Sequence, residues 1–276
     1  MPSNNPAFRG LGGTAGGSGQ QYAGWGAAPQ QQYGQYGAPT ADPYAAPSPY
    51  SATTTRYMTM DDVVTKTGLS FLVTVLAAAV TWAMPGQAAW GFALPAVLVA
   101  FVLGLVIAFK QIANPVATLA YGALYGVALG AISEAFNEVY PGIVMQALIG
   151  TFGVFAGMLV VYKTGAIRVT PKFTRWLLAA MIGVFALIVV NLIASFFSAD
   201  GDALNLRDGG PIAILFSLVV IGVAAFSLLL DFDMADEAIR RGAPAKFAWY
   251  IAFGLLVTVI WLYLEILRLL SYFQDN

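Results

Sequence analysis

Residues 211–230 read PIAILFSLVVIGVAAFSLLL, a run without a single ionisable side chain. At 1.5 Å per residue such a helix is about 30 Å long, the thickness of a bilayer's hydrocarbon core. A lone strand of this composition would leave unpaired backbone groups in lipid. The run is therefore predicted to be a membrane-spanning helix. Gly209-Gly210-Pro211 opens it, and an acidic stretch, Asp-Phe-Asp-Met-Ala-Asp-Glu at 231–237, follows it.

Six further segments share this character, at about residues 67–84, 90–109, 116–136, 143–162, 176–197 and 247–270. Between them stand turn formers such as Pro85-Gly86, Asn114-Pro115, Pro141-Gly142, Pro171 and Gly242-Ala243-Pro244. The predicted fold class is an all-α polytopic membrane protein with seven transmembrane helices over residues 58–273. Residues 1–57 hold ten glycines, seven prolines and six tyrosines. That composition buries too little apolar surface to offset the entropy of ordering, so a disordered cytoplasmic tail is expected there. No apolar core of a secretory signal follows the start. Over 58–66 a short interfacial turn is expected, with Thr59 as N-cap and Asp62 at the carboxylate position of a capping box.

Composition supports the assignment and narrows the chemistry. The 276 residues are 59% hydrophobic and only 10% charged, against about 25% charged in soluble domains. The chain has no cysteine, which excludes disulfides and thiolate chemistry, and no histidine, the usual near-neutral proton switch. A net charge of −1 gives no pull toward nucleic acid. Neither a metalloprotease HExxH nor a phosphate-binding Gly-Lys-Ser/Thr loop is present. No enzyme, cofactor or metal centre is predicted; the first partner is the lipid bilayer.

Basic residues set an orientation. With the N-terminus inside, the cytoplasmic segments hold Arg9, Arg56, Lys66, Lys110, Lys163, Arg168, Lys172, Arg175, Arg240, Arg241 and Lys246. Only Arg207 and Arg268 fall on the other side. The positive-inside rule then puts the N-terminus in the cytoplasm and the C-terminus outside. The Asp200–Asp208 loop faces outward.

Ionisable groups at membrane depth are costly and mark function or pairing. Asp231 is expected at the cytoplasmic end of the sixth span, with Asp233 and Glu237 sharing a face that can reach a cation or Arg240 and Arg241. Glu265 has Arg268 one turn on, so an ion pair is available. Glu134 and Glu138 share an outer face of the third span. Asp231 thus marks an inner carboxylate site, and Glu134 and Glu265 outer ones, an arrangement suited to a cation or proton path. Gly122, Gly126 and Gly130 form a small-residue face on the third span, and Gly153 and Gly157 one on the fourth, both fit for close helix packing. Isolated amides such as Asn114 are expected to bridge helices.

The seven-span layout, Leu-Leu-Leu-Asp-Phe-Asp at 228–233 and the closing Trp-Leu-Tyr-Leu-Glu-Ile-Leu-Arg-Leu-Leu at 261–270 resemble the Bax inhibitor-1 family. Asn-Pro-Ala-Phe-Arg at 5–9, ahead of a Gly/Pro/Gln/Tyr-rich tail, is similar to its actinobacterial branch. The resemblance implies a bundle whose seventh helix is surrounded by the other six, in a bacterial plasma membrane. In characterised relatives two aspartates, on the sixth and seventh spans, share a proton and gate a pH-sensitive calcium leak. Asp231 matches the first. Thr258 stands at the second, and without that carboxylate no proton-sharing pair forms there. Relatives in Gram-negative bacteria instead modulate a membrane-bound ATP-dependent protease.

Two functional classes follow. One is a passive, pH-sensitive leak for cations such as calcium, with Asp231 as inner gate. The other is a non-transporting regulator or scaffold that binds other membrane proteins. An enzyme acting on lipid is the weakest alternative, since it would have to work with carboxylates or a metal alone.

Overall fold

A computed structural model of the chain describes residues 56–195, 206 and 208–275. The expected tail therefore lies outside the described residues except for Arg56 and Tyr57, as does most of the 200–208 loop. Seven helices follow one another: α1 Met60–Trp82, α2 Gly86–Lys110, α3 Pro115–Val139, α4 Ile143–Thr164, α5 Pro171–Ser195, α6 Pro211–Arg240 and α7 Ala248–Asp275. Each is long and apolar enough to cross a membrane.

Two helices, α1 and α6, outrun the hydropathy reading furthest, for the same reason. A helix continues past the apolar stretch wherever polar side chains can satisfy its ends. At α1 the capping box forms in full: the Asp62 amide donates to Thr59 Oγ1 at 3.3 Å, and the Thr59 amide to Asp62 Oδ2 at 3.2 Å. Residues 60–66 are thus the first turns of α1 rather than a separate turn. At α6 the helix runs on to Arg240, where Glu237 pairs with Arg240 at 2.9 Å and Arg241 at 2.7 Å. It ends at Gly242, whose φ of +68° reverses the chain, and whose amide bonds back to Ile239 while that of Ala243 bonds to Ala238.

Helix α7 lies at the centre and is the most buried span. It packs directly on α1, α3, α4 and α6. Helix α2 rests on α3, and α5 on α6, so both occupy outer positions rather than facing α7 along their length. Helices α1 and α3 make the closest seam. A Cβ at Gly122 would stand 2.7 Å from Thr74 Oγ1, and one at Gly126 or Gly130 would run into the backbone carbonyls of Thr74 and Ala78. The α3 glycines are therefore what lets the two backbones touch. On α4 the same spacing behaves differently. A Cβ at Gly153 or Gly157 meets nothing, and both glycines face outward.

One end of the bundle is tied by a short strap. The Met58 amide donates to the Ala243 carbonyl at 2.8 Å, and the Ala245 amide to the Arg56 carbonyl at 2.8 Å. Met58 is buried beneath this pairing. The Lys66 ammonium donates to the Ala245 carbonyl and lies 5.7 Å from the Trp249 ring. Asp62 accepts from Arg56 at 3.1 Å on the same surface.

Candidate functional site

Because α6 continues to Arg240, Asp231 does not end its span. It lies inside the helix, roughly 14 Å along the axis from Arg240, on the flank turned toward α7. There it meets Thr258, which the central position of α7 leaves only 8% exposed. Thr258 Oγ1 is 2.7 Å from Asp231 Oδ2 and 3.1 Å from the Gly254 carbonyl. The structure thus brings together the two positions singled out from the sequence on these helices.

The Thr258 hydroxyl carries one proton and has two acceptors within reach. With Asp231 ionised, that proton points at the carboxylate. With Asp231 protonated, the acid can donate to Thr258 Oγ1 while the hydroxyl turns to the Gly254 carbonyl, one helical turn back. Both charge states are satisfied by rotating one O–H, with no helix movement. The other carboxylate oxygen is differently placed. A Cβ at position 254 would come 3.4 Å from Asp231 Oδ1, so glycine leaves this oxygen uncovered. It borders a recess of about 70 Å³ walled by Met234, Tyr250, Ile251, Phe253 and Gly254. At roughly 30 Å³ per water, the recess has room for about two.

The remaining acidic groups separate into paired and unpaired. Glu265 is 4% exposed, and both its oxygens are engaged: Ser217 of α6 donates to Oε1 at 2.8 Å, and Arg268 to Oε2 at 2.8 Å. It is not brought together with Glu134, which is partly buried on α3 and has no hydrogen bond or ion pair among the described residues. Asp233 is partly buried and likewise makes no ion pair there. Glu237 is held by the two arginines and not with Asp233 around a cation site. No group of three or more acidic side chains that could hold a metal ion occurs among the described residues.

Several polar pairs escaped the sequence reading. Ser133 and Tyr263 share a buried hydrogen bond of 2.6 Å between α3 and α7. Tyr162 of α4 donates to Asp236 of α6 at 2.7 Å. Ser217 was visible only as an isolated hydroxyl in the apolar run 211–230. Asn114 does not bridge helices but caps α3, accepting from the Val116 amide at 2.8 Å.

The chain finds no match among curated proteins. Residues 5–275 match the family described as Bax inhibitor 1 like, nearly the whole length. With seven membrane-spanning helices, α7 at their centre, this chain is a multi-pass membrane protein that belongs to the Bax inhibitor 1 like family.

Proposed function

We propose that this protein is a passive, pH-sensitive cation leak of the bacterial plasma membrane, with Asp231 as the group that binds or repels the ion. The observation that carries this reading is the uncovered Oδ1 of Asp231 beside a water-sized recess, with Oδ2 held by Thr258. A carboxylate fixed on one side and open on the other can exchange a proton or meet a cation without unfolding its surroundings. The eleven-to-two distribution of basic residues supports an N-terminus in the cytoplasm, with the recess on the cytoplasmic half. Calcium is the cation implied by the family. Glu134, whose side chain has no hydrogen bond or ion pair among the described residues, is the outer group best suited to an ion path, whereas Glu265 and Arg268 serve packing.

The test is calcium flux into proteoliposomes between about pH 5 and 8, comparing the native chain with Asp231→Asn. Flux above protein-free vesicles should depend on pH, and Asp231→Asn should flatten that dependence. No flux at any pH sinks the transport reading.

A second reading, a non-transporting regulator, is favoured by Gly153 and Gly157, which present a smooth outward face of α4 to open space. Small residues at this spacing admit a partner helix at close range. Gly153→Leu should then abolish co-purification of a membrane protein in mild detergent while leaving stability within about 0.5 kcal/mol of the parent. Recovery of the same proteins from parent and variant counts against this reading.

A further inference from the structure

Helices α1 and α4 both pack on α7 yet scarcely meet each other. The seam between them is a crevice with two cavities of about 380 and 390 Å³, one above the other, with Phe71 of α1 in the wall of both. Each falls within the roughly 300–1,000 Å³ of small-molecule pockets. The walls of both are almost wholly apolar, and the charged rim of the inner cavity identifies the occupant.

That rim is lined by Lys163 of α4 and Asp236 of α6. Lys163 is exposed at the end of α4 and makes no ion pair among the described residues. Asp236 accepts from Tyr162 through Oδ2 and has no ion pair either. The rim therefore offers one cationic and one anionic group.

We infer that the inner α1/α4 crevice is a binding site for a glycerophospholipid with an ethanolamine headgroup. The phosphate pairs with Lys163 and the primary ammonium with Asp236. One acyl chain fills the apolar crevice past Gly68 and Phe71. The charge pattern selects among lipids. A choline headgroup has no N–H to donate to Asp236, and a glycerol headgroup brings a phosphate without a cation.

The full-length chain can be titrated with phosphatidylethanolamine, phosphatidylcholine and phosphatidylglycerol of matched acyl chains and read by native mass spectrometry. One ethanolamine lipid should be retained about tenfold more tightly than either of the others. Gly68→Phe fills the crevice, since a Cβ at Gly68 meets nothing within 4 Å; it should remove the bound lipid while preserving helicity and the thermal transition. Asp236→Asn is the second variant, needed if Gly68→Phe does not assemble. It should bring the ethanolamine lipid down to the level of the glycerol lipid without weakening the latter. Equal retention of all three lipids overturns the proposal, as does binding untouched by Asp236→Asn. A protein subunit, rather than a lipid, displaced by Gly68→Phe also overturns it.

Discussion

Two carboxylates lie where α6 meets α7 inside the bundle, one on each helix, and they are held in opposite ways. Glu265 has a donor on each oxygen, Ser217 on one and Arg268 on the other, and is closed to everything else. Asp231 has Thr258 on one oxygen and a water-sized recess on the other. Both are acidic groups at membrane depth, so depth alone does not separate a working group from a packing group. What separates them is an acceptor left over after the protein's own donors are spent.

Breaking the closed pair should have the largest effect. Arg268→Ala leaves Glu265 buried with a single hydroxyl donor, a loss of about 3 kcal/mol or more, which thermal or denaturant unfolding in detergent would register. Next comes Thr258→Val, which strips Asp231 of its donor at a cost of about 1 kcal/mol. Its sharper readout is the pH profile of flux, which should move because the ionised form has lost its hydrogen bond. Asp231→Asn should be the mildest for stability, within about 0.5 kcal/mol, because an amide still pairs with Thr258 while the charge is gone. Were Asp231→Asn to unfold the protein more readily than Arg268→Ala, the contrast between the two sites would be reversed.

The spans were legible because about 20 apolar residues admit few alternatives in a chain this poor in charge. Their ends were less so. Hydropathy falls off at residue 67 in α1 and at 231 in α6, but the capping box at Thr59 and the Glu237 pairs carry both helices further. The facing of each helix was the least legible. In lipid the outward side is as apolar as the inward side, so periodicity does not tell which one meets α7. That is why Gly126 and Gly153 carry the same signature yet one touches α1 backbone and the other faces open space. It is also why Thr258 was found only by position in a family pattern, while Asp231 stood out as a charge at membrane depth and Ser217 and Tyr263 had no local mark.

The central place of α7 has a consequence for how the protein is made. Chains enter the membrane in order, N-terminal segments first, so the helix on which the others lean follows all six. Helices α1, α2 and α3 can join early, because the glycine seam needs nothing from later in the chain. Helices α4, α5 and α6 have no such seam. Until α7 inserts, Ser217 and Asp231 wait in the bilayer without Glu265 and Thr258. A chain released before residue 248 therefore leaves half a bundle assembled and half with its polar groups turned to lipid, a state for membrane quality control to recognise.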